Sequence, residues 1–199
     1  MKYSKIKPTC YVFGYGSLMY PSGINGRGMS HEYQWKDLSP ATLYGFRRGM
    51  YACYARLLYY GLLWDTRGCV EGVLVPIFSE KDFLALLDSE GASDKYKNKM
   101  YKVEDVSLCV YKNGVPMFNV HDHVDTPIHT LVSKEDKSDE GHLTPWYIAD
   151  VWHGIRHWGE NTMELMHKTG IVRPTRLQMR VRHVYGAIKH LKRVYHMYK

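Results

Sequence analysis

The 199-residue chain has no apolar run long enough to cross a membrane as a helix. Its first ten residues, MKYSKIKPTC, lack the apolar segment of a secretion signal, so we expect no export. Cysteines are few, and no two of them are spaced as a CxxC pair: Cys10, Cys53, Cys69 and Cys109. This spacing favours neither a disulfide framework nor a cysteine zinc site and predicts reduced thiols in a cytoplasmic protein.

Acidic residues are absent from the C-terminal part of the chain. No Asp or Glu follows Glu164, whereas residues 165–199 contain nine of the 27 Lys and Arg. The remaining 18 basic residues face 20 acidic ones, so the rest of the chain has a slight negative charge. The net charge of +7 therefore belongs to the tail and indicates nothing about a ligand of the main domain.

Common nucleotide and nucleophile motifs are also missing. Gly14 and Gly16 do not complete a GxGxxG fingerprint, because Met19 stands where the third glycine would be. No GK[ST] phosphate loop and no GxSxG elbow is present, and no cysteine lies in a nucleophile context. We therefore expect no nucleotide cofactor and no covalent intermediate on serine or cysteine.

Histidines occur in two pairs, but neither pair predicts a metal site. His153 and His157 are four residues apart on a predicted helix, yet no Glu follows His153 to complete HExxH. His121 and His123 lie near a predicted strand end. Since no third ligand is obvious for either pair, we expect no bound metal.

The segment YVFGYGSLMYPSG, residues 11–23, places two glycines directly after an apolar strand. Glycine permits positive φ angles and lets a ligand approach the backbone closely. Consecutive N–H groups in such a loop form a concave site for an anion. The loop is therefore a candidate for binding a carboxylate or a phosphate, and a tight turn without a ligand is the alternative.

Glu90 is the candidate acid or base. The segment SEKDFLALLDSEG, residues 79–91, predicts a short helix with Ser79 as N-cap and Gly91 as C-terminal stop. Glu90 then follows the negative end of the helix dipole, and partial burial would raise the pKa of its carboxyl further. Such a group suits general base catalysis near neutral pH. A solvated glutamate beside a helix end is the alternative.

The order of predicted elements favours an α+β fold. Strand patterns come mostly in one run and helices come late, which is typical of a mainly antiparallel sheet or barrel. Strands are predicted in residues 11–13, 41–58, 69–78 and 99–111, with a hairpin at Asn113-Gly114, and helices in residues 145–159 and 161–168.

Together, these stretches resemble the gamma-glutamylcyclotransferase-like (AIG2-like) family. Tyr15-Gly16-Ser17-Leu18 matches the family's YGS[LN] loop, and Leu87–Gly91 followed by Tyr96 matches its LDxxEG element. The likeness runs from about Cys10 to Glu164, and Lys97 departs from the arginine that is usual there. The other matching elements are Leu43-Tyr44-Gly45-Phe46, Val70–Leu74, and Pro145-Trp146-Tyr147 with Gly154 and Gly159.

The resemblance implies a mixed barrel-like sheet with flanking helices over residues 8–170. It implies an enzyme that cleaves a gamma-glutamyl amide by attack of the substrate's own α-amine, which releases 5-oxoproline and a free amine. Glu90 would be the general acid and base, and no metal or cofactor is required. The residues implied to bind the substrate are Tyr15, Gly16, Ser17, Leu18, Tyr96 and Tyr147.

Two alternatives remain open. Another enzyme on the same fold would act on gamma-glutamylamines or remove a gamma-glutamyl protecting group. A non-catalytic binding module of this fold would use its basic tail to contact nucleic acid or another acidic partner.

The tail, residues 171–199, is predicted to contain a basic amphipathic helix. Its apolar residues follow a 4-3-4-3 spacing, which is typical of a helix with one buried face. We expect this face to pack against the same chain or against a second copy, in a homodimer formed through residues 175–199. The apolar residues are Leu177, Val181, Val184, Ile188, Leu191, Tyr195 and Tyr198.

Overall fold

Two very long neighbouring strands organise the sheet in the computed structural model, which describes residues 7–113, 115–116 and 126–175. Strand β2 (Ser39–Tyr54) and strand β3 (Leu57–Ile77) pair antiparallel. The turn between them is Ala55-Arg56, and both residues have a positive φ, 49° and 62°. Two-residue hairpin turns with positive φ at both positions match the twist of the two strands that they join. The sequence predicts one strand over residues 41–58, which this turn interrupts, and the predicted strand over residues 69–78 is only the second half of β3. The turn has no local signal, because Ala and Arg rarely adopt such angles.

The described residues form an eight-stranded mixed sheet, which confirms the predicted α+β class. Strand β1 (Cys10–Gly14) lies between β3, with which it is antiparallel, and a later strand, with which it is parallel. The remaining strands are β4 (Tyr101–Asp105), β5 (Val110–Lys112), β6 (Val115–Pro116), β7 (Ile128–Ser133) and β8 (His142–Leu143). The strand order is β4-β7-β1-β3-β2-β5-β6, with β8 paired to β3.

Two further strand predictions need correction. The expected strand over residues 99–111 is interrupted by a 3₁₀ turn at Ser107–Cys109, so the alternating apolar residues there belong to two strands. Strand β7 was not predicted, although it is the neighbour of both β1 and β4. Its pairing depends on contacts far along the chain that a local pattern does not show.

Four helices lie beside the sheet in the described residues: α1 (Pro21–Ile24), α2 (Glu80–Ser89), α3 (Pro145–Ile155) and α4 (Glu160–Lys168). The predicted end signals of α2 are confirmed. The side chain of Ser79 accepts a hydrogen bond from the Asp82 N–H at 3.1 Å, and Gly91 has a φ of 67°. None of these helices has the length and apolar character needed to span a bilayer. The core lies between sheet and helices, with side chains such as Phe13, Leu62 and Ile148 fully buried.

The start of the predicted tail packs on the domain. Ile171 is buried, and the N–H of Val172 donates a 2.8 Å hydrogen bond to the Tyr60 hydroxyl. The apolar stripe of the tail lies in residues 176–199, outside the described residues, and so do His121 and His123.

Candidate active site

A cavity of about 590 Å³ opens where the hairpin end of β2 and β3 meets α1, the C-terminal end of α2 and the start of α3. Its lining includes Ser17, Glu90, Tyr96 and Tyr147. A second cavity, of about 20 Å³, shares three of these residues with it, Ser17, Glu90 and Tyr147. Tyr15, Gly16 and Leu18 line this smaller cavity. All seven residues that the sequence predicts for the site therefore line one of two adjoining cavities.

Glu90 lies where the two cavities meet. Its N–H donates to the Leu86 carbonyl at 3.1 Å, so its backbone continues the last turn of α2. Its side chain is only 15% exposed. Burial raises the pKa of the Glu90 carboxyl above its usual value, and the nearby Arg27 guanidinium acts in the opposite direction. A raised carboxyl pKa is the direction expected of a general acid or base.

Arg27 is a residue of the candidate site that the sequence does not predict. Its Nη1 atom lies 2.7 Å from the Oε1 atom of Glu90, and its Nη2 atom donates a 2.7 Å hydrogen bond to the Ser17 hydroxyl. It thus links the two predicted parts of the site. One signal was available: Arg27 is the single Lys or Arg between Lys7 and Lys36, within an otherwise uncharged glycine-rich loop.

The loop after β1 offers backbone donors to the small cavity. No backbone hydrogen bond within the described residues is donated by the N–H groups of Gly16, Ser17 or Leu18. Neither Gly14 nor Gly16 has a positive φ, so the left-handed conformation that the glycines would permit is not adopted. The need for glycine at position 16 is steric, because a Cβ there would lie 2.9 Å from the Tyr147 hydroxyl oxygen.

Two buried side chains hold this loop from behind. The Tyr15 hydroxyl donates a 2.6 Å hydrogen bond to the Leu131 carbonyl in β7. Arg48, in β2, donates to the Tyr15 carbonyl at 3.1 Å. The hydroxyl and the carbonyl of Tyr15 are therefore both engaged, and Tyr15 fixes the position of the loop.

The opposite wall of the cavity is aromatic and acidic. Tyr147 is buried and its ring contacts that of Tyr59, at a centroid distance of 5.1 Å. The Tyr20 hydroxyl donates to Asp150 at 3.0 Å. Tyr96 is 47% exposed and lies at the rim. Tyr20 and Asp150 were not predicted, because only the packing of α3 brings them to the cavity.

The described histidine pair, His153 and His157, does not line this site. The ring of His157 stacks on Trp35 at a centroid distance of 4.0 Å. Within residues 7–113, 115–116 and 126–175, no three His, Cys, Asp or Glu side chains form a group that could hold a metal ion.

Comparison with solved structures gives similar folds at low sequence identity. YkqA from Bacillus subtilis matches with a TM-score of 0.57 and 23% identity, over 83% of this chain and 55% of that one. A gamma-glutamyl cyclotransferase matches with a TM-score of 0.56 and 14% identity, over 84% of this chain and 89% of that one. An uncharacterized protein from Homo sapiens matches with a TM-score of 0.58 and 16% identity, over the same shares.

These structures show the fold of the chain. The chain has the gamma-glutamyl cyclotransferase-like fold, as the resemblance in its sequence predicts. It spans 55% of the length of the YkqA structure. Models of protein families give no match to the chain, and neither do the sequences of curated proteins.

Proposed function

We propose that this chain is a gamma-glutamyl cyclotransferase that converts a gamma-glutamyl amide into 5-oxoproline and a free amine. The observation that supports this most strongly is the position of Glu90. Its Oε1 atom is buried and has no hydrogen-bond partner in the described part of the chain, although Arg27 lies nearby. A buried carboxyl oxygen that has an ion pair but no hydrogen bond is only partly compensated, and a substrate ammonium would donate the missing hydrogen bond.

The substrate brings its own nucleophile. Its α-nitrogen attacks the γ-carbonyl carbon, so that a carbon–nitrogen bond forms to close the five-membered ring. The bond from the same carbon to the departing amine then breaks. Holding the two reacting groups in the correct geometry can contribute about 7–11 kcal/mol, so a pocket that keeps the substrate curled supplies much of the catalysis.

Glu90 carries the protons in this reaction. The α-ammonium must lose a proton before it can attack, and Glu90 accepts it. Closing the ring releases a further proton from the same nitrogen, and the departing amine takes up both. Because one carboxyl group can accept and then return each proton in turn, no second acid is required.

The loop N–H groups suit the developing negative charge. The N–H groups of Ser17 and Leu18 have no backbone acceptor in the described residues, and both residues border the small cavity beside Glu90. Fixed donors of this kind stabilise a tetrahedral oxyanion. A cavity volume of about 590 Å³ is ample for a gamma-glutamyl group and a further substituent on the departing nitrogen.

The deciding experiment is a screen of gamma-glutamyl peptides and gamma-glutamyl amines for release of 5-oxoproline, measured by chromatography and mass spectrometry. We expect equal amounts of 5-oxoproline and amine from at least one compound class. A panel in which no member is cleaved faster than in buffer would refute the proposed activity and favour a binding module.

A further inference from the structure

Arg27 is fixed on the cavity wall by its own loop. Its Nε atom donates to the Gly23 carbonyl at 2.9 Å, and its Nη2 atom donates to the Ser17 hydroxyl at 2.7 Å. Its side chain is 20% exposed. Its Nη1 atom makes a long contact of 3.5 Å to the Ser89 carbonyl. Arginine has five N–H donors, so one N–H group on each terminal nitrogen remains for a ligand such as a carboxylate.

The contact between Arg27 and Glu90 is close but poorly directed. The Nη1 and Oε1 atoms are 2.7 Å apart, yet the N–H bonds do not point at the oxygen, which remains without a hydrogen bond in the described part of the chain. The two charges therefore neutralise each other without using their best hydrogen-bonding geometry. A ligand that carries one charge of each sign would give both groups better partners.

Arg27 is the positive charge of this cavity. Among the described residues that line it, Arg27 is the only Lys, Arg or His. The remaining charged side chains of the lining are Asp88, Glu90 and Asp150, and Asp88 is paired with Lys95 outside the lining. Within the described part of the chain, an anionic group of a ligand in this cavity thus has a single positively charged partner.

A gamma-glutamyl compound carries an α-carboxylate and an α-ammonium on the same carbon atom. We propose that Arg27 binds the α-carboxylate of the substrate while Glu90 receives its α-ammonium, so that the zwitterion of the substrate replaces the ion pair between the two side chains. This inference rests on the proposed function. It assigns the N–H groups of Ser17 and Leu18 to the γ-carbonyl oxygen rather than to the α-carboxylate.

The test compares two substrates that differ only at the proposed contact. One is a cleavable gamma-glutamyl amide with a free α-carboxylate, and the other is the same compound with that group converted to a carboxamide. Wild type, Arg27→Met and Arg27→Lys are measured with both, and Arg67→Met, an exposed arginine outside the cavity, is the control. Melting temperatures confirm that each variant is folded.

We expect wild type and Arg67→Met to prefer the carboxylate in kcat/KM by about 10–100-fold, the value of a hydrogen bond to a charged group. Arg27→Met should lose most of this preference. Arg27→Lys should keep part of it, because lysine retains the charge but not the planar fork. Together these three results would support the assignment.

An unchanged preference in Arg27→Met would overturn the inference and return the α-carboxylate to the loop N–H groups. A shift in the pH profile of Arg27→Met with the substrate preference intact would also overturn it, because Arg27 would then only keep Glu90 ionised.

A second measurement does not depend on turnover. The binding of the same two compounds to Glu90→Gln, with and without Arg27→Met, is measured by calorimetry. If calorimetry shows binding of the carboxylate compound that depends on Arg27, yet wild type releases no 5-oxoproline, the proposed function fails, while the assignment of Arg27 to the carboxylate of the ligand stands.

Discussion

The guanidinium of Arg48 donates a 3.1 Å hydrogen bond to the carbonyl of Tyr15, directly behind the loop of the candidate active site. The same group donates to the carbonyls of Glu71 at 2.8 Å and Met166 at 2.6 Å. Arg48 is 5% exposed, and burial lowers its pKa to about 10, so it remains charged at neutral pH. One buried cation therefore joins the site loop to the last turn of α4.

Replacing Arg48 by methionine should lower the free energy of unfolding by at least about 2 kcal/mol, because several buried carbonyls lose their donor. Arg47 is the matched control. It is adjacent on β2 but its side chain is 51% exposed, and its ion pair with Asp136 is long, at 4.0 Å. Urea denaturation of both variants measures the difference. Equal unfolding free energies for Arg47→Met and Arg48→Met would contradict this role.

The burial of Arg48 and its hydrogen-bond partners could not be predicted from the sequence. The alternation of β2 indicates that Arg47 and Arg48 face opposite sides of the sheet, but not which of them is inside. Buried arginines are rare, so a pattern argument leaves both in solvent. The acceptor at Met166 lies 118 residues away, and only the folded chain brings it to Arg48.

The parts that could be predicted have local signals. The helix that ends beside Glu90 follows from its capping residues, and the loop after β1 follows from its glycines. The order of strands and helices was enough for the fold class. Tyr20 and Asp150 have no such local signal, and the isolated charge of Arg27 does not indicate its partner, because their roles depend on how α1, α2 and α3 meet around the cavity.

Glu90→Gln should leave the fold intact and reduce turnover of a gamma-glutamyl substrate by about 10²–10⁴-fold, because glutamine cannot accept the proton. The control is Glu80→Gln, an exposed residue at the other end of α2, which should keep full activity. Steady-state release of 5-oxoproline measures both. If the Glu90→Gln variant works at nearly the wild-type rate, Glu90 is not the base.

The stability of the protein should depend on the ionisation of Glu90. Its pKa is raised from the usual 4.5 by burial, against the opposing effect of Arg27. The folded protein therefore holds this proton more tightly than the unfolded chain does. The resulting stabilisation is complete below the usual carboxyl pKa and is lost as pH rises through the raised pKa.

Glu90→Gln removes this dependence, because glutamine does not ionise. We expect the variant to melt at a higher temperature than wild type near pH 8, with a difference that shrinks toward about pH 5. Calorimetry across this range, with Glu80→Gln as reference, gives the comparison. A difference that grows on acidification would mean that the pKa of Glu90 is lowered in the folded state.

Activity should survive exhaustive chelation with EDTA, because the proposed reaction uses only a carboxyl group, backbone donors and the substrate's own amine. The His157 ring is already stacked on Trp35, and His153 is exposed in the last turn of α3. Rates before and after dialysis against EDTA test this. Loss of activity that zinc restores would bring His153 and His157, or His121 and His123, back as ligands.

Gly154, in α3, should tolerate no side chain because of Tyr20. A Cβ at this position would lie 2.2 Å from Cδ1 of the Tyr20 ring, whose hydroxyl holds Asp150 at the cavity wall. Alanine is the better helix former by about 1 kcal/mol, so propensity alone predicts that Gly154→Ala is stabilising. We expect the opposite: Gly154→Ala should lower the free energy of unfolding by about 1–3 kcal/mol because of overpacking, and it should reduce activity because Tyr20 moves.

A Tyr20→Leu background tests this cause. The clash is relieved there, and Gly154→Ala should then be neutral or stabilising. Unfolding free energies of the two single variants and the double variant give the coupling, and additive effects would show that Gly154 is not there for Tyr20.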